Sequence, residues 1–538
     1  MKPACPKLKN YTPPQQLWLA IALIAALTVM RAVYAGVMEL RTDEAYYWTW
    51  SKENVLSFLD HPPMIAWFIR FGTAMFGDTA FGVRFAGLLA MLATQLLLAD
   101  IVRRVTHDVR AVILVILLPE AAVYYGLLMG KVAPDVALIP FALAMVWALV
   151  RLTESGDPRW WLAAGAFGGF ALLSKFTAVM LGPAILAFML VPAWRVRWIK
   201  SPYPWAALAI ALTIFSPALI WNAQHDWASF RFQSVRAVAT HELSLRTVAD
   251  FFGLQFFLVG PVLFPVVLSG VILTAWRAAR DREPVAILLS LCVIVPFGYF
   301  LWKSLTLRIG DTWPMFLWPI GFAATAINIA MFLREGWPAW MIRSTVRWAH
   351  VAIASGIVLV AGTFLYSVAS PWNLFGKRDP VGSEAGYERV VSRAQTEMRK
   401  IGASWIAATD YRTYAMLRWL LKDRVPVIQI NERGRFAGFH DPGIEAIRNK
   451  TGLYVAREPD QLNPVWDSIP AVRTPLGEVE RVWRGTVMDV YALEKLTGWT
   501  PELAPPRDSP LFRWRVLAGE IESESSGSRH RAFAALAR

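Results

Sequence analysis

The chain has 538 residues, 56% of them hydrophobic and only 17% charged, with a mean hydropathy of +0.40, against roughly 25% charged residues in an ordinary soluble chain. That composition excludes a soluble globular protein and predicts a polytopic membrane protein. A formal charge of +14 would suggest a nucleic-acid partner in a soluble domain, but here the basic residues fall in short clusters between apolar segments and report topology.

Lys2, Lys7 and Lys9 precede an apolar run from Leu17 to Val37. The run is long enough to span and has no small-residue cleavage site, so it reads as a retained first helix that starts in the cytoplasm. Further apolar segments run Phe81 to Val102, Ala111 to Leu128, Val136 to Val150, Trp160 to Leu173, Phe176 to Val191, Trp205 to Ile220, Phe251 to Ala275, Val285 to Trp302, Thr312 to Leu333 and Val351 to Val368. With the first, they make eleven candidate spans. Several fall short of the roughly 20 residues needed to cross hydrocarbon, the pair flanking Lys175 above all. Alternate connections are basic (Arg103-Arg104, Arg151 with Arg159, Arg195 with Arg197, Arg277 with Arg280, Arg334 with Arg343) and are placed on the cytoplasmic side. The opposite loops then face the periplasm. Met64 to Phe76 is too short to span and predicts an amphipathic helix along the interface, and the loop Trp221 to Asp250 reads similarly.

After Val368 the composition changes, and an outer α/β domain is expected. Short strands are predicted at Ser404 to Thr409, Val425 to Ile430, Gly452 to Val455 and Val487 to Leu493, with helices at Tyr387 to Ile401 and Tyr411 to Leu421. The expected division is 1–368 for the membrane domain, with its first outer loop at 38–80, then 369–500 for the outer domain. The tail 501–538 has too few apolar residues to pack and reads as disordered.

The first outer loop carries Asp43 and Glu44, followed by Tyr46, Tyr47, Trp48 and Trp50, then Asp60-His61 before two prolines. Carboxylates beside hydrocarbon are costly, so this pair needs water or a chemical task. Neighbours on a helix point about 100° apart, so one can act on a substrate while the other is paired. The competing reading is an acidic pair that merely ends a helix. The aromatic residues suit both a membrane interface and stacking on sugar faces. His61 is a candidate for phosphate or metal, although a lone loop histidine is more often structural. Lys131 and Asp135 share a very short second outer loop, where Asp135 could equally cap a helix. Lys175 lies between two apolar runs and must snorkel or find an anion. Asn222, Gln233 and Arg236 decorate the fourth outer loop, and Lys303, Arg308 and Asp311 the next. Together these outline a cavity with a cationic side and a carboxylate side. Only Cys5 and Cys292 are present, which leaves neither a disulfide framework nor a thiolate metal site. Nucleotide loops and zincin motifs are missing.

The first loop, with Thr-Asp-Glu-Ala-Tyr-Tyr-Trp-Thr-Trp at 42–50, Phe-Leu-Asp-His-Pro-Pro-Met at 58–64 and Val-Arg-Phe-Ala-Gly at 83–87, resembles the signature of the integral-membrane glycosyltransferases related to protein O-mannosyltransferases. Within that superfamily it is most similar to bacterial aminoarabinose and galacturonic-acid transferases of lipid A and lipopolysaccharide core. Pro134-Asp135, Leu173 to Thr177, Trp221-Asn222, Trp227 to Phe230, Phe232-Gln233 and Trp313-Pro314 extend the likeness. It implies an α-helical polytopic membrane protein of the C-type glycosyltransferase fold, with about 11 to 13 transmembrane helices and a small α/β periplasmic domain, in the bacterial inner membrane. The implied donor is a sugar on a polyprenyl phosphate and the acceptor a lipid or glycan of the envelope. Asp43 takes the place of the general base and Asp135 that of a supporting carboxylate. The substrate-binding set would be Glu44, Tyr46, Tyr47, Asp60, His61, Lys131, Lys175, Asn222, Gln233, Arg236, Arg308 and Asp311. His61 stands where relatives carry lysine, which leaves the sugar and a divalent metal open. A transporter or flippase of polyprenyl-linked sugars is the alternative, and it should show paired repeats and broken helices.

Overall fold

The computed structural model describes residues 14–498, apart from 128–129, 239–242, 336–337, 430–432, 437, 440–446 and 459–471. The expected tail, 501–538, and the N-terminal lysines lie outside the described residues.

Helix α1 (Pro14–Val37) leads into the first loop, built from α2 (Thr42–Ser51) and α3 (Met64–Phe76), and the long apolar α4 (Ala80–Thr106) follows. Then follow α5 (Val109–Glu120), α6 (Val123–Gly126), α7 (Pro134–Ser155), α8 (Trp160–Ser174), α9 (Leu181–Met189), α10 (Arg195–Lys200) and α11 (Pro202–Gln224). The helical part closes with α12 (Ala228–Val238), α13 (Leu245–Val259), α14 (Leu263–Asp281), α15 (Pro284–Ser304), α16 (Trp318–Arg334) and α17 (Ala339–Ala369). Among the described residues seven helices are long and apolar enough to cross a membrane, and four shorter apolar helices accompany them.

Two of the expected spans are interrupted, and the break expected at Lys175 is present. Phe251 to Ala275 divides between α13 and α14 because Gly260 adopts φ 122°, outside the helical range, and Pro261 has no N–H to continue the ladder. The run from Ala111 ends at Glu120, which is fully buried and pairs with Arg31 of α1 and Gln95 of α4 instead of reaching water. At Lys175 the backbone is extended (φ −157°, ψ 137°), so α8 stops there and a 3-10 turn, Phe176–Met180, leads into α9. α3 forms over the residues expected for the interfacial helix, and Met64, Ile65, Ala66 and Ile69 are its buried side. α8 lies close against α11 because Gly165 and Gly169 leave no room for a side chain: a Cβ at Gly165 would sit 2.3 Å from the Ala207 carbonyl oxygen.

The outer domain comprises α18 (Glu388–Ile401), β1 (Trp405–Ala408), α19 (Tyr411–Leu421), β2 (Val427–Gln429), β3 (Gly452–Glu458), β4 (Val472–Trp483) and β5 (Thr486–Thr497). Its sheet has the order β2-β1-β3-β5-β4, with β1 parallel to both β2 and β3, and β5 antiparallel to β3 and β4. The edge strand β4 was missed in the sequence because its side chains are largely exposed and charged, and Pro475 and Gly477 interrupt its register.

The aromatic residues of the first loop belong to the interior. Trp48, Trp50, Phe58 and Ile65 form one hydrophobic core with Tyr414, Trp419, Phe436 and Leu453 of the outer domain. Trp48 meets Trp419 edge-on at 5.2 Å, Trp50 stacks on Phe58 at 4.2 Å, and Phe439 closes on Phe58 at 5.8 Å. Expected as membrane anchors or sugar platforms, Trp48 and Trp50 instead fasten the outer domain onto the loop, burying large apolar faces at the contact.

Candidate active site

α2 begins at Thr42 because Glu44, three residues past Arg41, reaches back to accept the Arg41 backbone N–H at 3.0 Å. The same carboxylate takes two hydrogen bonds from Arg84 of α4, at 2.6 and 2.7 Å, and one from the Val132 N–H at 2.9 Å. Burial alone would push the Glu44 carboxyl up, but Arg84 and the two backbone donors outweigh it and hold it below the usual carboxylate range. Glu44 is therefore occupied by the fold, and a substrate-binding role for it has no free acceptor to draw on.

Asp43 is the opposite case. Its only hydrogen bond among the described residues comes from the Tyr411 hydroxyl of α19, at 3.3 Å, and no cation stands within ion-pair distance. Burial and the nearby Glu384 carboxylate raise its pKa, and Lys131, Arg412 and the Tyr411 hydroxyl only partly counter them. The result is a carboxylate poised to take a proton.

Glu384, Asp135 and Asp60 each meet a cation instead. Lys131 pairs with Glu384 of the outer domain at 2.7 Å. Burial works against both charges, yet each stabilises the other, so the lysine is held above and the glutamate below its ordinary pKa. Lys175 finds its anion in Asp135, with Nζ 2.7 and 2.8 Å from the two carboxylate oxygens, and the Thr312 hydroxyl adds a bond at 3.0 Å. Both side chains are buried, so Asp135 orders the lysine rather than simply capping α7. Asp60 accepts the Tyr46 hydroxyl at 2.7 Å and Arg435 at 2.8 Å, while the Gln233 amide donates to its backbone carbonyl at 2.8 Å.

Asn222 is committed to backbone. Its amide donates to Ala218, and its oxygen accepts the Ser229 N–H at 3.0 Å, which starts α12 under the first loop. Tyr47 stands within electrostatic reach of Asp43, Asp60, Asp135 and Tyr411, so these groups surround one space. His61 lies 6.3 Å from the Tyr47 ring, centroid to centroid, at the side of that space. Arg308 and Asp311 are exposed on the loop before α16, and the Arg236 side chain lies outside the described residues. Among the described residues no three His, Cys, Asp or Glu side chains gather to hold a metal ion.

Sequence reasoning missed the outer domain's share: Glu384, Tyr411 and Arg435, which meet first- and second-loop residues more than 250 positions away, and Arg412, which bonds the Tyr411 hydroxyl. No local pattern marks them. Only the charges of Arg412 and Arg435 beside an aromatic residue could have drawn attention.

A sequence model of the dolichyl-phosphate-mannose-protein mannosyltransferase family matches residues 60–221. The lipid A galacturonosyltransferase RgtD of Rhizobium johnstonii is 29% identical over 329 residues, which cover 56% of this chain and 66% of that one. The undecaprenyl phosphate-alpha-4-amino-4-deoxy-L-arabinose arabinosyl transferase of Pseudomonas aeruginosa is 27% identical over 260 residues, 46% of each chain. The chain thus spans between about half and two thirds of the length of these curated relatives. The crystal structure of ArnT from Cupriavidus metallidurans bound to undecaprenyl phosphate superposes with a TM-score of 0.61 at 14% identity, covering 91% of this chain and 100% of that one. None of these gives the transport alternative support. The first-loop motif, the family match and the ArnT-like architecture agree: the chain has the fold of ArnT and is similar to the integral-membrane glycosyltransferases related to the dolichyl-phosphate-mannose-protein mannosyltransferases.

Proposed function

We propose that the protein transfers a sugar from a polyprenyl-phosphate donor to an envelope lipid of the lipid A type, with Asp43 as general base. The observation that carries this is the contrast among the acidic groups. Glu44, Asp60, Asp135 and Glu384 each hold a cation, whereas Asp43 has a single long hydrogen bond and a raised pKa. An acceptor hydroxyl gives its proton to the Asp43 carboxylate as its oxygen attacks the anomeric carbon. The bond from that carbon to the phosphate oxygen breaks, and the phosphate leaves with the bonding pair. Phosphate is a good leaving group once a cation offsets its charge, so one base and one cationic site suffice. A single displacement inverts the anomeric centre.

The named activities of RgtD and of the arabinosyl transferase favour lipid A as acceptor and a galacturonosyl or aminoarabinosyl group as cargo. In this reading the N-terminus is cytoplasmic and the outer domain is periplasmic, in keeping with the basic connections on one side. Mass spectrometry of envelope lipids from cells with wild type, Asp43→Asn or no protein tests it. A sugar-sized mass gain found with wild type alone supports the proposal, and one that persists in Asp43→Asn refutes the assignment of the base.

A further inference from the structure

Tyr411 opens α19, and its hydroxyl joins two groups of opposite charge: it donates to Asp43 at 3.3 Å and accepts from Arg412 Nε at 3.1 Å. Arg412 is half-buried, and its guanidinium lies 5.5 Å from the Tyr411 ring centroid. The Arg412 backbone N–H donates to Asp410 at 3.1 Å, but beyond the Nε bond its side chain makes no hydrogen bond or ion pair with any described residue, so among these the Nη1–Nη2 edge of the fork is unused. The ion pairs around Arg412 are formed without it. Lys131 is paired with Glu384, and Arg41 and Arg412 both act on that same carboxylate, so Arg412 has no ion-pair partner of its own among the described residues. Glu44 does not alter this, since Arg84 neutralises it. A partly desolvated cation without an ion-pair partner is costly, and a ligand with a negative charge completes it.

We propose that Arg412 binds a carboxylate on the transferred sugar, so that the protein selects a uronic-acid donor over its neutral counterpart. The idea rests on the donor reading proposed above. The open guanidinium edge matches a planar carboxylate with two parallel hydrogen bonds. The donor's phosphate has the same kind of charge, but it is tethered to a lipid tail. Arg412 projects from the outer domain, beside the base that must meet the sugar and its acceptor.

The test uses the full-length protein in detergent with two probes: undecaprenyl phosphate carrying a galacturonosyl group, and the same lipid carrying a galactosyl group. The two differ only in a carboxylate against a hydroxymethyl. Wild type should bind the uronosyl lipid tighter by on the order of 10- to 100-fold, the range of a charged hydrogen-bonded pair, and Arg412→Gln should bring that ratio to about one. Arg412→Lys keeps the charge without the fork and should give an intermediate ratio, which serves if the glutamine variant does not fold. Equal binding of both lipids by wild type overturns the proposal. So does a preference that survives in Arg412→Gln, or an equal loss of both lipids, which would assign Arg412 to the phosphate. Transfer to lipid A is measured separately. Discrimination without transfer would sink the transferase reading and leave Arg412 as the carboxylate site, whereas transfer without discrimination would do the reverse.

Discussion

Arg84 holds Glu44 through two hydrogen bonds, with neither side chain exposed to solvent. Because Glu44 is pinned in this way, its neighbour Asp43 must point elsewhere on α2, toward the outer domain. Removing one member of a buried pair strands the other charge, at a cost of about 3–5 kcal/mol. Glu44→Ala and Arg84→Ala should each lower the thermal unfolding temperature in detergent and the yield of monodisperse protein, and activity should fall with the folded fraction.

Asp43→Asn should behave in the reverse manner. The folded state binds the Asp43 proton more tightly than the unfolded chain does, because its pKa is raised. Its contribution to stability is therefore greatest in acid and falls as pH rises from the unfolded pKa to the folded one. At neutral pH the ionised group is a burden on the fold, so the asparagine variant should unfold at the same temperature as wild type or slightly higher. Transfer should drop by about 10²- to 10⁴-fold, the usual worth of a general base. A variant that unfolds early would mean that Asp43 is a structural group.

The base must be ionised to act, so kcat/KM should fall as pH drops through a pKa above the ordinary carboxylate range. Tyr411 donates to the ionised form and so lowers that pKa. Tyr411→Phe keeps the ring and removes the hydroxyl, and it should move the acid limb to higher pH. A limb that stays put or moves down would show that the hydroxyl does not reach Asp43 in solution. The pH dependence of transfer in proteoliposomes decides this.

Lys131 and Glu384 tie the second outer loop to the outer domain at 2.7 Å. Glu384→Lys should loosen the docked domain, raising amide exchange in α19 and protease cleavage after Lys377 and Arg378. Adding Lys131→Glu should restore protection, with a coupling of ~1 kcal/mol. If the double variant is no better protected than the single one, the pair does not fasten the domain.

Gly165 is where α8 touches the α11 backbone, and a Cβ there would fall 2.3 Å from the Ala207 carbonyl oxygen. Gly165→Val should prevent assembly, read as loss of the monodisperse peak on size-exclusion chromatography. Gly182 of α9 has nothing within 4 Å of its would-be Cβ, and Gly182→Ala should be indistinguishable from wild type.

The sequence by itself determined the polytopic membrane character of the chain, the extent of α3 and α19, four of the five strands and the first-loop motif. These depend on local composition, periodicity and turn chemistry, which neighbouring residues supply. It also grouped Asp43, Asp60, Asp135 and Lys175 as candidates for one site, because short loops cannot carry them far. The breaks at Glu120 and Gly260 were harder to see, since apolar runs continue past both while the chain turns. Tertiary structure alone decided the partners. Lys175 with Asp135, Lys131 with Glu384, Arg435 with Asp60 and Tyr411 with Asp43 are all contacts between distant segments. The same acidic pair in sequence became one locked and one open carboxylate for this reason. Whether a buried charge is neutralised depends on what packs within a few ångströms of it, and the docked outer domain supplies much of that surrounding.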